Sequence, residues 1–174
     1  MVVNNGFWLK LAPMKAAAPL FRETQQSSIP EKMDEIFMLA ALTISRKALP
    51  QCLPNPPVGC VIVDALEIVA SGYTREPGTH HAEADALNQI QGKAFDCLKM
   101  YVTLEPCSFH GRTPACALAI AEDPRIHQIY VSIVDPDKRN NGQGLDILTK
   151  AGKTVHLGLC AAQVNAFLNQ YLLR

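Results

Sequence analysis

The sequence predicts an α/β sandwich with a largely parallel or mixed sheet. Segments of helical periodicity alternate with short β-rich segments, which is typical of this fold class. The 174 residues suffice for one core but not for a second catalytic domain. No apolar run approaches the roughly 20 residues that span a bilayer, so we expect a soluble, cytoplasmic protein without a membrane partner.

The first 30 residues are expected to form an N-terminal extension, and residues 31–174 the single domain. Lys10, Lys15 and Arg22 are not balanced by any acid among the first 22 residues, a composition that a transit peptide would also show. We expect instead a poorly ordered or loosely docked extension that ends in a polar linker over 25–28.

The first half of the domain contains one helix and a β-hairpin. Apolar residues recur at helical spacing between positions 36 and 44, which predicts a helix from about residue 30 to about Ala48. Four prolines between positions 50 and 57 then exclude regular structure. Gly59–Val63 and Ile68–Ala70 are β-rich and predict two strands joined by a turn around Asp64. A loop is expected over 72–79.

The second half alternates helices with strands. A helix is expected from His81 to about Gln91, where Gly92 can end it. A short helix follows, with Thr113 at the N-cap and Pro114 as its first residue. The remaining predictions are strands at 100–104, 126–134 and 154–157 and helices ending near 151 and 173.

Three residues form a set that can hold a catalytic zinc ion, namely His81, Cys107 and Cys116. Zinc that catalyses hydrolysis needs three protein ligands and one open position, and a histidine with two thiolates satisfies that need. Glu83 follows His81 by two residues in the same helical turn, so its carboxylate can carry protons there without binding the metal. Both helix starts direct partial positive charge at the site, which favours the thiolate form of Cys116.

Other histidines, cysteines and acids are weaker candidates. His80 adjoins His81, but the His-x-Glu register selects His81. His110 either contacts substrate or faces solvent, and Glu105 either orients the site through hydrogen bonds or caps a structural element. The remaining cysteines are expected to be buried or partly buried fillers of a reduced protein: Cys52, Cys60, Cys97 and Cys160.

Three motifs occur in the order found in the cytidine-deaminase-like superfamily, which the sequence resembles. They are His81-Ala82-Glu83, Thr103-Leu104-Glu105-Pro106-Cys107 and Gly111-Arg112-Thr113-Pro114-Ala115-Cys116. Within the superfamily, residues 33–172 resemble the pyrimidine deaminase domain of the bifunctional riboflavin-biosynthesis deaminase/reductase. This closer likeness rests on the segment 54–59, on the eight residues between the two cysteines, and on Asp135-Pro136 with Gly142-Gln143-Gly144.

The resemblance implies a three-layer α/β/α sandwich with a mixed five-stranded sheet, a zinc cofactor and a homodimer or larger homo-oligomer. The implied reaction removes ammonia hydrolytically from 2,5-diamino-6-ribosylaminopyrimidinone 5′-phosphate or a close relative. We expect no reductase domain within these residues, so that either a separate reductase acts next or the chain serves another pathway with a related amino-heterocycle. Asn55 matches the family's substrate-binding asparagine, Arg112 matches a basic residue near the substrate, and Asp135 belongs to a segment that the family uses for the ribose phosphate.

Thr74, Asp137 and Lys138 depart from the family pattern, which usually has His, Asn and Pro at these places. A carboxylate at position 137 would repel a phosphate dianion, although Lys138 and Arg139 could compensate if they turn inward. These substrate-binding positions therefore leave open a deaminase of another free or unphosphorylated amino-heterocycle.

Charge and composition narrow the remaining function classes. Lys plus Arg equals Asp plus Glu at 16 each, so no bulk positive field attracts nucleic acid, and a small-molecule substrate is expected. A non-catalytic zinc scaffold is the second alternative. Glu83 argues against it, because a structural zinc would close its fourth position with a protein ligand and would not need that carboxylate.

Overall fold

The computed structural model of the protein describes residue 1, residues 28–111 and residues 114–172. The predicted N-terminal extension lies almost wholly outside these residues, as do Arg112 and Thr113. Helix α1 (Ile29–Ser45) begins slightly before the predicted boundary, and the Ser28 N–H donates a 2.8 Å hydrogen bond to the Glu31 carboxylate at its start. None of the described helices combines the length and apolar character needed to cross a membrane.

Strands and helices alternate along the described chain as the sequence predicts. After α1 and a 3₁₀ turn (Arg46–Ala48) the elements are β1 (Gly59–Asp64), β2 (Glu67–Tyr73), α2 (Ala82–Gln89), β3 (Leu98–Leu104), α3 (Cys116–Glu122), β4 (Ile126–Ile133), α4 (Gln143–Lys150), β5 (Thr154–Leu157) and α5 (Ala161–Leu168).

The strands form one mixed sheet in the order β2-β1-β3-β4-β5, which confirms the predicted sheet. β1 is antiparallel to both β2 and β3, whereas β3, β4 and β5 run parallel. The carboxyl ends of β3 and β4 therefore lie at the same edge of the sheet, where the segments that carry Cys107 and Asp135 begin. Ligand sites of α/β proteins usually lie at such an edge.

Both faces of the sheet are buried, as a three-layer sandwich requires. Along β1, Cys60 and Ile62 belong to an apolar cluster that includes residues of α2. The alternate residues Val61 and Val63 belong to a second cluster with residues of α1. Because successive side chains of a strand point to opposite faces, the sheet has a helical layer on each side.

Gly72 was expected in a loop but lies in β2, opposite Cys60. A Cβ atom at Gly72 would lie 2.1 Å from the carbonyl oxygen of Ala82, the first residue of α2. This glycine therefore permits α2 to approach the sheet closely and does not mark a turn. The helix start that carries His81 and Glu83 is positioned by that approach.

The bounds of two more helices, α3 and α5, differ from the prediction. α3 begins at Cys116 and not at Pro114, because Ala115 has an extended backbone with φ −60° and ψ 122°. The predicted N-cap, Thr113, lies outside the described residues. α5 ends at Leu168, where the chain turns and the Tyr171 N–H donates to the Leu168 carbonyl at 2.8 Å.

Candidate active site

The start of α2 carries the histidine and the acid of the first motif. His81 is the extended N-cap residue, and Glu83 lies in the first helical turn with only 3% of its surface exposed. The preceding loop is fixed by Arg75, whose backbone N–H donates to the His80 carbonyl at 3.0 Å and whose guanidinium lies 3.0 Å from the Asp85 carboxylate. These contacts hold His81 in one position relative to α2.

The structure brings together the three residues predicted to bind metal. The Nδ1 atom of His81 lies 3.6 Å from the sulfur of Cys107 and 3.6 Å from that of Cys116. All three donor atoms lie within 4.8 Å of one another. Tetrahedral zinc with bonds of about 2.3 Å to sulfur and about 2.1 Å to nitrogen places those atoms about 3.6 Å apart, so the donor set and its spacing fit this ion.

His80 points away from this cluster, since its Nε2 atom lies 3.3 Å from the side-chain amide nitrogen of Asn88 and the residue is exposed. The choice of His81 over its neighbour thus agrees with the geometry. His110 is also exposed and is not among the residues that line the cavity beside the cluster.

The two thiols differ in proton affinity, and without a metal ion the thiolate is favoured at Cys107 over Cys116. A hydrogen bond from the Cys116 thiol lowers the pKa of Cys107 to about 4, with further stabilisation from His81 and the Cys116 N–H, which lies 3.3 Å from the Cys107 sulfur. The same hydrogen bond to Cys107, together with burial, raises the pKa of Cys116. The amide at the start of α3 therefore favours the thiolate of Cys107, and binding a metal would deprotonate both.

The carboxyl group of Glu83 is unusually basic. Burial raises its pKa from 4.5 to about 7, and the negative charge of Cys107 adds to the effect while His81 opposes it. A carboxyl group with a pKa near neutrality can both accept and release a proton at physiological pH.

A cavity of about 420 Å³ opens beside this cluster and reaches His81, Glu83 and Cys107. Four of the five predicted substrate-binding residues line it: Asn55, Thr74, Asp135 and Asp137. The fifth, Arg112, lies outside the described residues. Phe109 and Arg139 also line the cavity; the sequence predicted no role for Phe109 and, for Arg139, only that of a counter-charge if it turned inward.

Thr74 and Asn55 lie on the wall formed by the segments before β1 and after β2. The Thr74 hydroxyl accepts a hydrogen bond from the Val58 N–H at 3.0 Å, and the Thr74 N–H donates to the Val58 carbonyl at 3.0 Å. Thr74 thus joins the two strand ends. Asn55 is half-buried, and its backbone N–H donates to the Cys52 carbonyl at 2.9 Å.

The opposite wall is the loop that follows β4. Burial raises the pKa of Asp135, which accepts a 3.0 Å hydrogen bond from the Asp137 N–H. Asp137 binds the Arg139 guanidinium, with an oxygen 2.5 Å from Nη2, and this ion pair lowers the pKa of Asp137. The Arg139 guanidinium also lies 4.4 Å from the centre of the Phe109 ring. Arg139 lines the cavity although 64% of its side chain is exposed, whereas Lys138, which is also exposed, does not line it.

Glu105 is a second buried carboxylate at the cavity, also 3% exposed. It accepts hydrogen bonds from the backbone N–H groups of Asp135 at 3.1 Å, Gly142 at 2.9 Å and Gly144 at 2.8 Å. Both alternatives left open for Glu105 hold, because it caps the start of α4 and also fixes the loop that forms one cavity wall.

The other four cysteines are all free. Cys52 and Cys60 are buried and Cys160 is partly buried, as expected of small apolar fillers. Cys97 is exposed, so the expectation of burial is wrong for it. It immediately precedes β3, at the end of the turn-rich segment after α2.

Comparison with known proteins places these features in a family. The profile of the cytidine and deoxycytidylate deaminase zinc-binding region matches residues 31–133. The riboflavin biosynthesis protein RibD of Escherichia coli is 40% identical over 141 residues, which cover 81% of this chain and 38% of that protein. The diaminohydroxyphosphoribosylamino-pyrimidine deaminase of Buchnera aphidicola is 38% identical over 130 residues, which cover 75% of this chain and 87% of that protein.

Solved structures show the same fold. Form 1 of RibD from Acinetobacter baumannii has a TM-score of 0.75 and 37% identity, and the match covers 80% of this chain and 38% of that one. RibD proteins are thus considerably longer, since this chain spans 38% of the length of the first of them that it matches. The Rib2 deaminase of Aspergillus oryzae in complex with DARIPP has a TM-score of 0.59 and 23% identity, a likeness of fold alone.

Proposed function

Because the chain belongs to the cytidine and deoxycytidylate deaminase zinc-binding family, we propose that it hydrolytically deaminates a diaminopyrimidine of riboflavin biosynthesis. The proposed substrate is 2,5-diamino-6-ribosylaminopyrimidinone 5′-phosphate or a close relative, and the product is released with ammonia. The observation that carries the proposal is the buried Glu83 carboxylate, which shares one cavity with His81 and Cys107. The names of the relatives support the substrate class.

His81, Cys107 and Cys116 would hold a zinc ion, since their donor atoms have the element types and spacing that such an ion requires. When bound, zinc would act as a Lewis acid that lowers the pKa of water to about 7. The chain's own contribution is to hold three ligands at the starts of two helices and in the segment that follows β3. The cavity opens beside His81 and Cys107, so a metal held there would be accessible to water and substrate from the cavity.

Glu83 would carry protons between water and the substrate. With a pKa of about 7 in its buried setting, its carboxylate can accept a proton from the attacking water. The protonated form would then donate this proton to the ring nitrogen. Glu83 would next take the remaining proton of the added hydroxyl and pass it to the amino group, which leaves as ammonia while the carbonyl forms. Proton transfer requires a short distance between donor and acceptor. Glu83 lies in the helical turn that immediately follows His81 and is therefore placed close to the reacting groups.

The two cavity walls would orient the substrate. On one wall we assign Asn55 to hydrogen bonding with the pyrimidine, and the Thr74 hydroxyl to shaping the wall beside it. On the other wall Asp135 would accept a hydrogen bond from a sugar hydroxyl. Its backbone N–H is held by Glu105, so the loop presents this carboxylate in a fixed position.

Ammonia release from a panel of compounds tests the proposal. The panel contains the phosphorylated diaminopyrimidine, its dephosphorylated form, cytidine, dCMP and guanine. We expect turnover of a diaminopyrimidine and little or none of the other bases. Turnover of an unrelated amino-heterocycle alone would favour the alternative deaminase, and turnover of none by zinc-loaded protein would favour a non-catalytic scaffold.

A matched pair of variants tests the role of Glu83. Glu83→Gln should lower kcat by roughly 10² to 10⁴-fold while retaining zinc, because it removes the proton carrier and preserves shape. Glu122→Gln, the same change at an exposed position of α3, should leave kcat unchanged. Near-normal turnover by Glu83→Gln would contradict the assignment.

A further inference from the structure

The charge of the cavity lining is strongly asymmetric. Among the described residues, the acidic side chains that line it are Glu83, Glu105, Asp135 and Asp137. Arg139 is the only lysine or arginine among the described lining residues. Arg139 is therefore the one lysine or arginine among the described lining residues that can attract an anionic group on a ligand.

The Arg139 guanidinium is held with one edge occupied and one edge open. Asp137 accepts hydrogen bonds from Nε at 3.1 Å and from Nη2 at 2.5 Å. Nη1 makes no hydrogen bond to the described protein, and the edge between Nη1 and Nη2 is the second place where a guanidinium can bind two oxygens at once. The Phe109 ring, with its centre 4.4 Å away, supports the guanidinium.

From this arrangement we infer that, among the described residues, Arg139 selects for a phosphorylated substrate, and that Asp137 and Phe109 orient its open edge. The inference rests on the proposed deamination of a diaminopyrimidine nucleotide. Asp137 then acts as an orienting residue, because its charge is neutralised by the ion pair before any phosphate arrives. This role is opposite to the repulsion that the sequence alone suggests for a carboxylate at position 137.

The decisive quantity is the ratio of kcat/KM for the phosphorylated compound to kcat/KM for its dephosphorylated form. Arg139→Gln should lower this ratio about tenfold and leave the dephosphorylated compound within about twofold of wild type, since a charge-assisted hydrogen bond in a site this exposed retains only part of its full value. Lys138→Gln removes the same charge from the neighbouring exposed position and should leave the ratio unchanged.

Asp137→Asn distinguishes orientation of the Arg139 guanidinium by Asp137 from repulsion of the phosphate by Asp137. The inference predicts a lower ratio in this variant, because the guanidinium loses its anchoring charge, whereas repulsion by Asp137 predicts a higher one. Arg139→Gln slowing both compounds equally, Lys138→Gln matching Arg139→Gln, or a higher ratio in Asp137→Asn would each overturn the inference.

A binding measurement distinguishes this failure from a failure of the proposed function. Titration calorimetry on Glu83→Gln measures the affinities of the same two compounds without turnover. We expect the phosphorylated compound to bind more tightly, and the addition of Arg139→Gln to reduce that preference about tenfold. If Arg139→Gln removes the binding preference for the phosphorylated compound but the wild type shows no deaminase activity, the proposed reaction is rejected and the role of Arg139 is retained. An unchanged preference would reject the role of Arg139.

Discussion

Replacing Glu83 by glutamine should stabilise the fold of the metal-free protein at alkaline pH while it removes activity. The folded protein raises the pKa of this carboxyl group from 4.5 to about 7, mainly by burial. A raised pKa means that the folded state binds the proton more tightly than the unfolded chain does. The resulting stability is present below pH 4.5 and is lost as the pH rises through about 7.

The magnitude follows from the size of the shift. Each tenfold change in proton affinity is worth about 1.4 kcal/mol, so a rise from 4.5 to about 7 costs the ionised form about 3 kcal/mol in the folded protein. Glutamine cannot ionise and avoids this cost. Relative to wild type, Glu83→Gln should therefore raise the free energy of unfolding by about 3 kcal/mol at pH 8 and by about 1 kcal/mol at pH 5.

Urea unfolding of chelator-treated protein at the two pH values measures this difference. Glu105→Gln is the matched control, because Glu105 is equally buried but accepts hydrogen bonds from three backbone N–H groups. The glutamine side-chain NH₂ group would face backbone N–H groups, which are also donors. We expect this variant to destabilise the fold by about 1.5 to 3 kcal/mol at both pH values. A Glu83→Gln variant whose gain does not increase between pH 5 and pH 8 would refute the reasoning.

The remaining predictions concern metal content and packing. Purified protein should contain one zinc per chain by metal analysis; His81→Ala should lose most of it and His80→Ala should keep it, and the reverse pattern would show that the neighbouring histidine is the ligand. Gly72→Ala should lower the free energy of unfolding by about 1 to 3 kcal/mol and weaken zinc retention, because its Cβ would meet the Ala82 carbonyl and displace α2. An unchanged urea midpoint would mean that α2 does not depend on this close approach.

The grouping of His81, Cys107 and Cys116 could be predicted from sequence because residue type and register carry the information. His81 and Glu83 share one helical turn, and a histidine with two cysteines is a donor set with few other uses in a reduced protein. The periodicities of the strands and helices likewise predicted an α/β sandwich with a largely parallel or mixed sheet. Those patterns are local, and so they can be recognised without knowledge of the tertiary structure.

The cavity wall formed by the loop after β4, here called the recognition wall, could not be predicted from local patterns. Its position depends on long-range hydrogen bonds. The direction of the Arg139 side chain follows from its ion pair with Asp137, in a loop that Glu105 holds from 30 or more residues away. Gly72 was misread for the same reason. Its sequence context resembles a turn, and only the contact with Ala82 explains the glycine.

Glu105 and Cys107 are two residues apart. The His81, Cys107 and Cys116 group is therefore joined to the recognition wall through one short segment. Cys107 belongs to the cluster, while Glu105 holds the loop that leads from Asp135 to α4. Asn140 returns from that loop and accepts a 2.8 Å hydrogen bond from the Ser108 N–H. The segment is therefore tied to the loop on both sides of Cys107, so the distance from the metal ligands to Arg139 is set by the fold before any ligand binds. Such preorganisation would let an anion bound at Arg139 orient the pyrimidine ring toward Glu83.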